Sequence, residues 1–297
     1  LDIPIMHDDQ HGTAIISSAA LLNALELAKK KIERVKIVIS GAGASALSCA
    51  KLYVALGAKV SNIYMFDSKG LIGAFRTDLD DMKTFFASHK KEVSFEEAFK
   101  GADVFLGLSR GGLVNKEMIK KMAKDSIVFA LANPDPEISY KDATSVRKDI
   151  IMATGRSDHP NQVNNVLGFP FIFRGALDVR ATTINEEMKL AAVKAIASLA
   201  KETIPEEVIE AYGEKNISFG RDQIIPKPLD PRLIYSVAPA VAKAAMDSGV
   251  AKNPIKDWQK YEAELKARLG LDNELMRNIT AKAQSNPKKV VFAEADN

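Results

Sequence analysis

"RVKIVISGAGASALSCAKLYVALGAKVSNIYMFDSKG", residues 34–70, decides the fold. Residues 35–40 are a short β-branched run of the kind that suits a strand buried on both faces. Glycines interrupt it. Residues 46–56 then resume a helical pattern that Gly57 can end, and residues 60–66 read as the next strand. The result is a β-α-β unit. Gly41, Gly43 and Ala46 match the G-x-G-x-x-G/A pattern at the strand–helix junction, which makes Gly41, Ala42, Gly43, Ala44, Ser45 and Ala46 a candidate pyrophosphate cradle. Gly41 permits the tight turn, Gly43 lets a pyrophosphate approach the backbone, and Ala46 keeps the helix close to the sheet. The helix N-terminus offers free N–H groups and the positive end of its dipole to the phosphates. Asp67 closes the second strand, placed to accept from an adenosine ribose hydroxyl. Asp67 alone favours NAD, whereas Ser68 and Lys69 directly after it could serve the 2′-phosphate of NADP, so both cofactors stay open.

Outward from this unit the alternation continues. Helices are expected over residues 13–31, 80–88, 95–100 and 116–123, and strands over 102–109, 126–134 and 149–155. That rhythm implies an α/β fold, a Rossmann-type doubly wound and mostly parallel sheet. After Gly168 helices dominate, over residues 169–179, 186–201, 231–247, 258–269 and 271–284, a helical C-terminal extension. We divide the chain into a leading segment and helix (1–32), a dinucleotide-binding domain with its C-terminal helices (33–250), and a helical linker into a further domain (251–297).

Near the front stands "IPIMHDDQHGTA", residues 3–14, with two carboxylates between two histidines at the mouth of a helix. Asp8 and Asp9 could cap that helix, since acidic side chains accept from its free N–H groups and complement its dipole. The other reading is that they hold a cation. Further along, "ALANPDPE" puts Asn133 just past the end of a strand, where ligands bind in such sheets. An asparagine there orients a ligand without adding charge, although Asn-Pro is also a common turn former. "SDHPNQVNNVLGFP" gathers Asn161, Asn164 and Asn165, and its His159 reads as a loop residue. His89 is expected to face solvent.

The 297 residues are 46% hydrophobic, enough for one large or two modest domains. With 41 basic against 38 acidic residues there is no electrostatic case for nucleic acid, and no apolar stretch is long enough to cross a bilayer. The single cysteine, Cys49, has no partner for an internal disulfide, which favours a reducing compartment. The opening Leu1-Asp2-Ile3-Pro4 lacks a basic leader and an initiating Met, so a slice of a longer protein is expected.

Taken together, "IPIMHDDQHGTA", "GAGASA" with "FDSKG", "FALANPDPE" and "QVNNVLGFPFIFRGALD" resemble the malic enzymes, specifically the bacterial hybrid form, over residues 3–248. The tail "NPKKVVFAEADN" is similar to the start of the phosphate-acetyltransferase-type domain fused behind those enzymes. The resemblance implies oxidative decarboxylation of (S)-malate to pyruvate and carbon dioxide, with NADP or NAD and with Mg²⁺ or Mn²⁺. It makes Asp9 a metal ligand and Asp8 a catalytic neighbour. Asn133 and Asn165 would be catalytic contacts to nicotinamide ribose or malate with Asn164 adjacent, and Thr13 would start the helix beside the cofactor. It further implies a cytoplasmic homo-oligomer in the full-length protein. In the family the lysine, the tyrosine and a Glu-Asp pair of the active site lie upstream of the acid doublet, so the fragment alone is expected not to turn over malate. Two other readings stand beside it. An amino-acid dehydrogenase would need a cleft lysine that the sequence does not place, and a non-catalytic nucleotide-binding or assembly module would bind no substrate.

Overall fold

Four apolar tetrapeptides, each fully buried, build the centre of the computed structural model, which describes residues 3–213 and 218–269. They are β1 (Ile37–Ser40), β4 (Val104–Gly107), β5 (Ile127–Ala130) and β6 (Ile151–Thr154), and each is buried at all four positions. Strands apolar on both faces demand cover on both faces, which crossover helices supply. With β2 (Ile63–Asp67) and β3 (Gly70–Leu71) they form one six-stranded sheet in the order β3-β2-β1-β4-β5-β6. All neighbours are parallel except β3, which turns back antiparallel on β2 at the edge. This is the doubly wound α/β architecture expected. Ser40 pairs in register with Phe66 and Gly107, Gly107 with Ala130, and Ala130 with Thr154, so the strands end at one level. Ligands of such sheets bind beyond that level.

Several helices are shorter than the sequence pattern suggests. α1 runs Thr13–Leu27 rather than to residue 31, because the chain leaves it through Lys29 at a positive φ of 55°. α2 is Ala44–Ala55, closed by Gly57 at φ 116°. α3 (Asp81–Thr84) and α4 (Phe95–Ala98) are single turns, held by side-chain caps from Asp80 and Ser94. α5 is Lys116–Lys121. α6 (Tyr140–Val146) was not anticipated, although Ser139 and Asp142 form its N-terminal cap. α7 (Phe169–Asp178), α8 (Glu186–Leu199) and α10 (Arg232–Asp247) match the expected helical extension, and α9 (Glu206–Tyr212) adds a further one.

One face of the sheet, Val38, Phe105, Val128 and Met152, packs with Phe99 of the α4 turn, Met118 and Ile119 of α5 and Ala143 of α6. α1 lies against β5, α2 and α8, and is buried on every side, as an all-round apolar helix must be. α10 packs on α7 and α8. His89, expected to face solvent, is half-buried. Its ring stacks on Tyr64 at 4.0 Å and its Nε2 meets Ile63 O at 2.8 Å.

The compact unit built this way ends at Pro254, and a second begins at Ile255. In the latter the structure describes α11 (Trp258–Arg268), capped by Asp257. The helix expected over 271–284, the strand-like run after it and the start of a further domain lie outside the described residues. No helix among the described residues is long and apolar enough to cross a membrane.

Candidate functional site

Backbone conformation shapes the glycine turn. Gly41 sits at φ 110°, its N–H donates to Phe66 O at 2.8 Å, and a Cβ there would lie 2.6 Å from Leu108 O. Only glycine fits. Gly43 is extended and is the N-cap of α2, with nothing within 4 Å of where its Cβ would be, so its face is open to a ligand. Ala46 is buried, at 1% exposure.

Two cavities flank this turn. One, of about 790 Å³, is lined by Gly41, Ala42, Gly43, Asp67, Ser68, Lys83 and Ser109 among others. The other, of about 500 Å³, is lined by Asp8, Asp9, Thr13, Ser45, Asn133, Arg156, Asn164 and Asn165 among others. Leu108, Leu131 and Gly155, which directly follow β4, β5 and β6, border the second cavity. It lies beyond the carboxyl ends of the strands.

The acid doublet belongs to the second cavity. Asp8–Gly12 forms a π-helical turn that leads into α1, and neither carboxylate caps it: the N-cap positions His7 and Gly12 make no side-chain cap. Such turns are frequent at functional sites. Instead Asn165 Nδ2 donates to Asp8 O at 3.2 Å and to Asp8 Oδ2 at 3.3 Å, while Thr13 Oγ1 donates to Asn165 Oδ1 at 3.3 Å. Asp8 Oδ1 is buried and accepts no hydrogen bond among the described residues. Gly12 leaves room for it, since a Cβ there would lie 2.3 Å from that oxygen. Ser45 Oγ donates to Asp9 O at 2.7 Å, which ties the doublet to the first turn of α2. Burial, then the charges of Lys189 and His7, hold His11 below its ordinary pKa, so it is neutral beside the doublet.

The partners of Asp67 were not legible in the sequence. Arg76 Nη1 donates to Asp67 Oδ1 at 2.8 Å, the Lys69 amide donates to the same oxygen at 2.9 Å, and Lys83 Nζ is 3.6 Å from Oδ2. Burial works to raise this carboxyl, but the Arg76 hydrogen bond, the Lys69 amide and the two nearby cations override it and hold it below the usual range. The Lys69 ammonium does not line the cavity; it pairs with Asp78 at 2.7 Å, as does Arg76 at 2.9 Å. Three cations and two carboxylates thus meet at the end of β2.

Of the asparagines, Asn133 is exposed at the cleft mouth, and Asn164 lines the cavity while capping the turn at Val166 with its side chain. Asn161 is apart from them in role. It is buried at φ 57°, donates to Met152 O and Arg221 O, and accepts from Ile224 N, which makes it a brace. Arg156, which the sequence reading passed over, lines the acid-doublet cavity and pairs with Asp158 at 2.8 Å. Its position two residues past β6 is the available signal.

A hard divalent ion wants several oxygen ligands. Among the described residues no three of His, Cys, Asp and Glu converge on one point, so Asp8 and Asp9 do not by themselves complete such a site. The orphaned Asp8 Oδ1 fits a cationic partner.

The model for "Malic enzyme, NAD binding domain" matches residues 10–211. The chain is 53% identical to the NADP-dependent malic enzyme of Salmonella typhimurium, over 100% of its own length and 39% of the relative. It is 57% identical to that of Halomonas elongata, over 85% of this chain and 60% of the relative. The crystal structure of Entamoeba histolytica malic enzyme superposes with a TM-score of 0.79 at 37% identity, over 99% of this chain and 58% of that one. The chain therefore spans 39% to 60% of the length of these two curated relatives.

Proposed function

Since the chain belongs to the malic enzymes, we propose that it supplies the nicotinamide-dinucleotide site and one wall of the substrate cleft for the oxidative decarboxylation of malate, with NADP as the cofactor. The observation that carries this reading is the 2.7 Å bond from Ser45 to Asp9, which couples the glycine turn to the acid doublet. Through it a cofactor held on the turn and a hydroxy acid beside the doublet share one cleft.

The chain's residues divide the work as follows. Gly41 to Ala46 face the pyrophosphate, with the N-terminus of α2 supplying N–H donors. Asp67 and Ser68 face the adenosine ribose. Lys83 on the cavity wall attracts a 2′-phosphate, and Arg76 behind Asp67 cancels the carboxylate that would repel it. This charge balance supports NADP over NAD. Lys69 adds to the local positive field from its bond to Asp78.

On the other side, Asn133 and Asn165 orient nicotinamide ribose or malate through hydrogen bonds, with Thr13 and Asn164 alongside. Asn165 also fixes Asp8, whose unpaired oxygen is the seat for a cationic group. Asp9, which lines the same cavity, would be a ligand of Mg²⁺ or Mn²⁺, and further ligands from outside the described residues would be needed to complete the ion's shell. When bound, the cofactor accepts a hydride from C2 of malate. A reducing, cytoplasmic setting is part of the proposal, supported by the lone buried Cys49.

Fluorescence titration of the purified chain with NADPH and NADH tests this reading. Saturable binding with NADPH the tighter ligand is expected. A chain that binds neither overturns the assignment of the glycine turn, and tighter NADH binding overturns the choice of NADP.

A further inference from the structure

Glu137 is fully buried, at 0% exposure, and has no role in the cleft chemistry described above. Asp230, also buried, is paired by Arg232 at 2.6 Å, but Glu137 has no cationic partner among the described residues. Its two oxygens are taken by backbone amides of two different loops. Ser109 N donates to Oε1 at 3.0 Å, and Ala132 N donates to Oε2 at 3.2 Å. Ser109 lies two residues past the end of β4 and Ala132 two past the end of β5. One side chain thus spans the carboxyl ends of two neighbouring strands.

The fold reserves space for that span. A Cβ on Gly107, the last residue of β4, would lie 2.2 Å from Glu137 Cδ. Burial pushes the Glu137 carboxyl above its ordinary pKa, and the amide hydrogen bonds only partly offset this. Relative to its protonated form, the ionised side chain is therefore unfavourable for folding. An apolar side chain in its place would leave the amides of Ser109 and Ala132 without this acceptor.

The two loops it joins face different cavities. Ser109 lines the cavity with Asp67 and Lys83, and its Oγ is 2.5 Å from Ser40 Oγ. Ala132 and Asn133 line the cavity with the acid doublet. The β4 loop has further anchors, from Val114 N to Glu137 O at 2.9 Å and from Gly112 N to Pro136 O at 3.1 Å. Beyond β5, Leu131 N reaches Gly107 O at 3.0 Å, and the next amide, Ala132 N, is held by the Glu137 carboxylate.

We propose that Glu137 is a positioning residue whose carboxylate sets the spacing of the loops after β4 and β5, and so brings the adenosine and nicotinamide halves of a bound cofactor into register. The proposal rests on the reading that the two cavities together hold one dinucleotide. Because the β4 loop has independent anchors, loss of the carboxylate falls mainly on Ala132 and Asn133, the nicotinamide side. Glutamine in its place offers one acceptor and one NH₂ group, and the NH₂ would face an N–H donor.

The test uses the full chain, with Glu137→Gln and Gly107→Ala as independent ways to displace the carboxylate. Titration with NADPH and NADH is set against displacement by the adenosine half alone, 2′,5′-ADP or ADP. Each variant is expected to bind the tighter dinucleotide about tenfold more weakly, the equivalent of one hydrogen bond to a charged acceptor, with the half-ligand changed by less than about threefold. Equal weakening of both ligands would mean general loosening and would overturn the proposal, as would unchanged binding. Failure of both variants to fold would assign Glu137 to structural support and overturn it too. A wild-type chain that binds neither dinucleotide is a different result, because it removes the underlying reading of the cavities and leaves no register to set.

Discussion

Arg76→Gln is the most informative single change at the cofactor site. A guanidinium has five N–H donors. Arg76 commits Nη1 to Asp67 and both Nε and Nη2 to Asp78, and it lies behind Asp67, so it acts on a 2′-phosphate through charge and not by contact. Glutamine in its place removes one positive charge from the end of β2. The substitution also uncovers Asp67, whose carboxylate keeps only Lys83 at 3.6 Å and the Lys69 amide as partners. The lost positive charge and the repulsion of a 2′-phosphate by Asp67 together cost about 1 kcal/mol beside solvent, or roughly fivefold in Kd. NADH presents a hydroxyl at that position, for which a freed carboxylate is a good acceptor, so its affinity should move by less than about threefold. The assay is nicotinamide fluorescence on titration with each cofactor at fixed ionic strength, with a thermal melt to confirm folding. Equal weakening of NADPH and NADH, or an unchanged NADPH affinity, would show that Arg76 plays no part in reading the 2′ position.

Gly43→Ala separates folding from binding. The added methyl meets nothing within 4 Å and the backbone there is extended, so the melting temperature should stay within about 2 °C while nucleotide affinity falls at least about tenfold. A variant that binds normally would remove the phosphate from this turn. Asp8→Asn should lower the melting temperature, because its NH₂ group would either face the Asn165 amide donor or sit at the buried Oδ1 position without an acceptor. About 1 kcal/mol, or 2–4 °C, is expected by calorimetry, and a higher melting temperature would contradict the account of Asp8. Cys49 is buried between helices, and burial pushes its thiol up to about 12 even though Ser17 donates to it. It should therefore resist a disulfide-exchange reagent at pH 8 until the chain is denatured, and rapid labelling of the native protein would count against the packing of α1 on α2.

The parts of the fold visible in the sequence are those where one short segment holds all the information. The β-α-β unit is legible because the β-branched run before Gly41, the glycine pair and Asp67 lie within 33 residues of one another. The four central strands announce themselves as unbroken apolar runs, since both their faces are covered. The expected helix ends go too far where the backbone turns among residues that could still be helical, as after Leu27, where Ala-Lys-Lys-Lys follows and Lys29 takes a positive φ. α6 was missed because its seven residues carry no long apolar stripe, only the Ser139 cap. The doublet, Asn133 and Asn165 were legible as candidates from their motifs, but their meeting in one cavity is a property of the folded chain. Arg76 and Lys83 were invisible for a different reason. The β3 turn brings them back to Asp67 from 9 and 16 residues downstream, and nothing in their local sequence distinguishes them from solvated surface cations. Glu137 reads in sequence as an ordinary charged residue after two prolines. Only the strand ends that surround it reveal a buried strut.

The bond from Asn165 to Asp8 links positions 157 residues apart. At the usual pace of synthesis, about 5–20 residues per second, the doublet waits roughly 8–30 s after its own translation before that partner exists. Until then neither the carbonyl of Asp8 nor its side chain has the amide that holds it. Any translation product that stops short of residue 165 lacks the latch that seats the acids. Completion of the cleft is thus a readout of how far the ribosome has travelled.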